Sequence, residues 1–210
     1  MRLICQLVSN ERGAAALEAL IVTPPLMLIG MAGLELTNHI STQKRVSELA
    51  QIIADDASRA GDSTALGRMP LRESDINDVL DGANLQGRNV NLETNGRIIL
   101  SSLEQDADGQ QIIRWRRCSG KAVAGSAYAN VSNALAGGGR GIEVRGKLVR
   151  APARDAIMVV ELYYDYAPII PFDLAGYNAQ RFEAKAVRLV RDNRDLSKII
   201  GNANAKRCTS

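Results

Sequence analysis

"ERGAAALEALIVTPPLMLIG", residues 11–30, sets Glu18 among residues that are almost all apolar, close to the N-terminus. The apolar run continues to Leu36, so Leu17–Leu36 makes about twenty residues. As a helix these would cover roughly 30 Å, the thickness of a bilayer's hydrocarbon core. An acidic side chain at the centre of such a span costs about 2.5 kcal/mol or more. Something must offset that cost, and finding it decides both the fold and the function.

Three kinds of N-terminal segment begin this way. A cleaved secretory signal has a shorter apolar core ending in a small-residue site, and its core lacks a carboxylate. A lipid-attachment site is suggested by Leu3-Ile4-Cys5, but that triplet precedes the apolar run instead of closing it. A single-pass anchor fits the length. Flanking charge leaves its orientation open, because Arg2 and Arg12 are offset by Glu11, and Lys44 and Arg45 follow on the other side.

The remaining composition excludes several partners. With 26 basic and 23 acidic residues the net charge is +3, and the signs are interspersed, which does not suit nucleic acid. Two Phe and one Trp are too few for a base-stacking platform. Of three cysteines, Cys5 lies before the span, and Cys118 and Cys208 lie after it. If the N-terminus is inside, the latter two share an oxidising compartment and are expected to pair; the alternative is two unrelated free thiols. The tail "NANAKRCTS" has little to bury, which is where a covalent staple is useful.

Glu11-Arg12-Gly13 followed by Ala14-Ala15-Ala16-Leu17-Glu18 resembles the processing site of a type IV prepilin, and more closely that of the TadE-like minor pilins of the Tad (Flp) system. The resemblance implies that a membrane prepilin peptidase cuts between Gly13 and Ala14, leaving Glu18 as the fifth residue of the mature chain. The new Ala14 amine would then be the cation that offsets the Glu18 carboxylate, in the same chain or in a neighbouring subunit. Gly suits the cut position because an extended backbone must be bound there without a clashing side chain. The competing reading is a plain anchor whose Glu18 reaches back to the interface. Pro24-Pro25, "GLEL" (33–36), "IRWRRCSG" (113–120) and "VVELYYDYAPII" (159–170) also look like stretches of TadE-like chains. The chain departs from the family in its apolar leader "MRLICQLVSNERG" and in Ala19, where an aromatic residue is common.

Beyond the span, Val46, Leu49, Ala50, Ile53, Ala54 and Ala57 repeat at three and four, one apolar stripe opposite Gln43, Lys44, Ser47, Asp55 and Arg59. One helix is therefore expected from about Ala15 to Arg59, stopped at Gly61-Asp62. "GRIILSSLEQ" (96–105) and "QQIIRWRR" (110–117) flank the turn composition "DADG" and read as a hairpin, with Ile113 and Trp115 on one face. "AIMVVELYYDY" (156–166) reads as the central strand. "RFEAKAVRLVR" (181–191) alternates and then shifts near Val187, where a bulge is expected. "ESDINDVLDGA" (73–83) reads as a short helix stopped by its glycine. The expected fold class is α+β, pilin-like, with a long N-terminal membrane-spanning helix packed on a small antiparallel sheet of about four strands. The expected organisation is a cytoplasmic leader (1–13), a transmembrane and extended amphipathic helix (14–60) and an exported α+β domain (61–210).

Other tempting motifs carry less. "DADG" lacks the twelve-residue ligand spacing of a calcium loop. "GGGRGIEVRG" (137–146) has no Lys-Ser or Lys-Thr after it and reads as a flexible loop. His39, the sole histidine, has no assignable nucleophile. "NVS" at 130–132 matches a glycosylation pattern only, and "YYDYAPIIPFD" (163–173) reads as a strand end entering a Pro-rich turn rather than an adhesive surface. The expectation is thus a non-enzymatic protein without cofactor or metal, single-pass in an inner membrane with a periplasmic domain, or at the pilus or cell surface. Its partners would be the membrane, a prepilin peptidase and other Tad pilins, with no nucleic acid. The alternative is an uncut, membrane-anchored periplasmic binding domain.

Overall fold

The computed structural model describes residues 11–61, 69–128, 134–170, 180–191, 194–201 and 204–208. It is α+β. The chain groups into two compact units, one made of 1–41 with 167–180 and the other of 42–166 with 181–210. Helix α1 (Glu11–Arg59) is continuous through 49 residues, with Pro24 and Pro25 inside it. It begins four residues before the expected Ala15. Gly61 follows it with φ 136°, a conformation that suits a residue without Cβ. Expectations for residues 1–10, Asp62, "NVS" at 130–132 and Pro171–Asp173 fall outside the described residues.

In the larger unit, the α1 stripe enters the core as its periodicity requires: Val46, Leu49, Ala50, Ile53, Ala54 and Ala57 are all buried. Their partners lie on one face of a five-stranded sheet ordered β4-β3-β2-β7-β8, one strand more than expected. The strands are β2 (Gly96–Gln105), β3 (Gln111–Ser119), β4 (Ala134–Leu135), β7 (Ala156–Tyr166) and β8 (Gln180–Leu189). Pairings of β2 with β3, β2 with β7 and β3 with β4 are antiparallel. The Val190 N–H donates to Ala156 O, which sets the end of β8 beside the start of β7 and makes that pair antiparallel as well.

Strand β7 is central, and its alternation divides two cores. Met158, Val160, Leu162, Tyr164 and Tyr166 join the α1 side. Ile157 and Val159 pack on the opposite face with Leu103, Ile113, Ala136 and Ile142. Such a strand, buried on both faces, reads in sequence as an unbroken apolar run.

Four local expectations change. Ile113 and Trp115 do not share a face. Ser102 pairs with Trp115 and Leu103 with Ile113, so Arg114 is the extra residue of a β-bulge. Trp115 therefore packs with the α1-side core and Ile113 with the opposite one. Val187 needs no bulge, because Phe182, Ala184, Ala186 and Val190 all join the α1 side while Val187 packs on the other face. Helix α2 (Glu73–Gln86) runs through Gly82 and stops at Gly87. Residues 137–146 are not simply a loop: β5 (Ile142–Val144) pairs with β6 (Lys147–Val149) across Arg145 and Gly146. Both turn residues have positive φ, 51° and 74°, as a tight hairpin turn requires.

The "DADG" hairpin closes as expected, with Asp106 Oδ1 accepting from the N–H groups of Asp108 and Gln110. Two further strands, β1 (Met69–Arg72) and β9 (Arg194–Ile200), form a parallel pair that the sequence pattern did not reveal. Arg194, at the start of β9, is buried and closes the end of α1, donating from Nη2 to Ala57 O at 3.1 Å and to Ala60 O. A cation on the last carbonyls of a helix satisfies orphan acceptors and opposes the helix dipole.

Because Leu49 is fully buried at the centre of the α1–sheet contact, Leu49→Ala should destabilise the larger unit by about 3 kcal/mol. Chemical denaturation of the full chain in detergent, followed by near-ultraviolet circular dichroism, measures this; an unchanged midpoint would show that the stripe does not carry the fold.

Candidate functional site

The apolar first half of α1 is unburied among the described residues. Residues from Gly13 onward form a helix long and apolar enough to cross a membrane, and its most apolar window is wholly unburied in this chain. Leu20, Ile21 and Ile29 are each about two-thirds exposed or more. By length and composition, an exposed apolar helix of this extent could cross a membrane.

The sequence-derived site residues lie at its head. Gly13 and Ala14 occupy the first turns of α1, and Glu18 is exposed four residues beyond Ala14. Positions i and i+4 are neighbours on one helix face, so Glu18 stands over Ala14. The Gly13–Ala14 peptide is helical here, and a protease that binds an extended strand would have to unwind about one turn first. Glu18 is the sole ionisable residue between Gly13 and Leu34.

At the far end of the apolar stretch, sequence reasoning passed over Glu35. It is buried, and its Oε2 accepts from the N–H groups of Ile169 (3.0 Å) and Ile170 (3.1 Å). One turn on, His39 Nε2 lies 3.4 Å from Gln180 Oε1. The apolar character of "GLEL" concealed this role, because the donors come from residues more than 130 positions away.

Cys118 and Cys208 are joined by a disulfide, with Cα atoms 4.8 Å apart. Around it the tail is held by further contacts: Cys118 N–H to Lys206 O at 2.8 Å, Asn77 Nδ2 to Asn204 O, and an ion pair of Lys206 with Asp81. Nearby, Gly120 has φ 93°, and a Cβ there would fall 2.2 Å from Gly96 O. The adjoining segment crosses the outer face of the sheet and is fixed by Glu161, a fully buried carboxylate of β7. Glu161 accepts from Ser126 Oγ, from Ala127 N–H at 2.7 Å and from the Tyr163 hydroxyl at 3.1 Å. Burial first, and then the charge of Glu161, push the Tyr163 hydroxyl above its ordinary pKa. Desolvation lowers Arg116, and the attraction of Glu161 opposes that shift. With donors on both oxygens, Glu161 is a fixed acceptor that positions a loop, not a base poised for transfer.

One cleft of about 210 Å³ is lined by Ser102, Glu104, Arg114, Trp115, Met158 and Arg194, among others. Inside it Glu104 is occupied, taking hydrogen bonds from Ser102 Oγ (2.8 Å) and Arg114 Nε (3.1 Å). Among the described residues no group of three or more His, Cys, Asp or Glu side chains is arranged to hold a metal ion. No family model matches the chain, and no curated protein or solved structure matches it either.

The bridge joins residues 90 apart, and opening it should cost on the order of 4 kcal/mol in the chain-entropy model. Electrophoresis should show slower migration after reduction, with a lower denaturation midpoint; identical mobility with and without reductant would refute the pairing. For Tyr163, the raised folded pKa means that only the unfolded chain releases the phenolic proton just above pH ~10, so stability falls as pH rises from there. Tyr163→Phe should flatten that alkaline decline, read as denaturation midpoint against pH, and an unaltered slope would assign the decline to other groups.

Proposed function

We propose that this protein is a minor pilin or pseudopilin of a Tad-type pilus, with a structural role in priming or assembling the filament and no catalytic one. The observation that carries the reading is the head of α1: one exposed acid, Glu18, four residues after Ala14, on a helix whose first, apolar half is unburied among the described residues. Cutting after Gly13 would create an ammonium group at Ala14. It would also make Ala14 the start of the mature helix, setting Glu18 within reach of the positive end of the helix dipole. Both effects favour the ionised carboxylate in a medium that otherwise penalises it. The bare helix surface would be covered by lipid before assembly and by the helices of other Tad pilins after it.

In this reading the leader faces the cytoplasm, α1 crosses the inner membrane once, and the α+β domain lies in the periplasm, where Cys118 and Cys208 can oxidise. Pro24 and Pro25 remove the donors for the carbonyls of Leu20 and Ile21, leaving acceptors that neighbouring helices or water would satisfy. A second reading, an uncut anchored binding domain, is favoured by the cleft beside Trp115.

N-terminal mass analysis of the protein from its native membrane separates the two: the pilin reading expects a chain starting at Ala14, and an intact leader in piliated cells would overturn it. Glu18→Ala should leave membrane insertion unchanged while reducing pilus assembly several-fold, scored by counting filaments.

A further inference from the structure

Glu35 and His39 stand four residues apart on α1, and each meets residues distant in the chain. Ile169 and Ile170 donate their N–H groups to the Glu35 carboxylate, and Gln180 meets His39. All of these residues belong to the smaller compact unit. Ile169, Ile170 and Gln180 thus meet successive turns of one helix.

The position of that clasp along α1 gives it meaning. Glu35 lies eighteen residues after Leu17, about 27 Å along a helix, which is the far boundary of a hydrocarbon core entered near Leu17. Two backbone donors on one oxygen let a carboxylate stay buried at that depth. Thr37 is accommodated in the same region by bonding its own helix, Oγ1 to Gly33 O at 2.8 Å. Ile169 is held there by its backbone, yet its side chain is turned outward, 69% exposed, with Ala167 also exposed and Pro168 partly so. At that depth an isoleucine held by its main chain, with its side chain exposed, would be stabilised among lipid chains just beneath the headgroups.

We infer that residues 167–170 form a second membrane contact, in which Glu35 clasps the segment so that Ile169 inserts into the interfacial layer beside the exit of the span. The occupant of this surface is lipid. The inference rests on the membrane-spanning reading of 17–36 and is independent of whether the chain is a pilin.

The test uses full-length protein in phosphatidylcholine vesicles whose acyl chains are brominated either near the ester or near the terminal methyl. Two single variants, Ile169→Trp and Leu28→Trp, are compared after subtraction of the Trp115 background. Leu28→Trp reports insertion of the span, and bromine should quench it. Ile169→Trp should be blue-shifted and lose more emission to the ester-proximal bromines than to the methyl-proximal ones. Adding Glu35→Ala should abolish the Ile169→Trp quenching and leave that of Leu28→Trp intact. Unquenched emission from Ile169→Trp in vesicles where Leu28→Trp is quenched would overturn the inference while sparing the span. Blue-shifted emission that ignores bromine would assign Ile169 to a protein partner and overturn it too. Quenching that survives Glu35→Ala would remove the clasp from the explanation, and an unquenched Leu28→Trp would remove the span itself.

Discussion

A single uninterrupted helix has to satisfy two environments in succession, and the rest of the structure follows from that constraint. Over its first half α1 is apolar on every side apart from Glu18. Over its second half the apolar residues narrow to one stripe, Val46 to Ala57, which only a complementary protein surface can cover. The sheet supplies that surface through the even-numbered residues of β7 and through Ile98 and Leu100 of β2. The change from one pattern to the other takes place between Leu34 and Thr42, where Glu35, His39 and Thr42 are buried polar residues on an otherwise apolar helix.

Charge burial follows a common logic in this chain. Glu35 takes two backbone N–H groups, Glu161 takes a hydroxyl, a backbone N–H and a phenol, and Glu73 is bidentate with Arg117. In each case the carboxylate binds a distant segment to a regular element: a segment after β7 to α1, the outer loop to β7, and α2 to β3. A buried acid that lost its donors would be strongly destabilising, so each contact specifies its connection as well as stabilising it. Glu18 differs. It is exposed on the first half of α1, away from the described segments that the other acids bind.

The covalent link and the buried loop on the outer face belong together. Cys118 and Cys208 pack with Ile99, Tyr163 and Ala124, so the disulfide is part of a small hydrophobic cluster and not merely a surface staple. Residues 204–208, beyond β9, are held by that cluster and by α2 through Asp81 and Asn77.

Local pattern by itself determined the long helix, its apolar first half, the buried stripe, the β2–β3 hairpin and the two-faced strand β7. Each of these is a periodicity or a turn composition read within a few residues, and burial enforces such periodicities directly. The faces of Ile113 and Trp115 were decided elsewhere, because a bulge at Arg114 depends on how β2 and β3 register, and strict alternation cannot signal it. The β1–β9 pair joins segments more than 120 residues apart, and Arg194 as the cap of α1 has no local signature at all. The candidate site divides in the same way. Glu18 stands out in the sequence because a charge interrupts an apolar run, whereas Glu35 acquires its role only when the backbone of Ile169 and Ile170 folds back onto α1, since its donors are main-chain groups that every residue possesses.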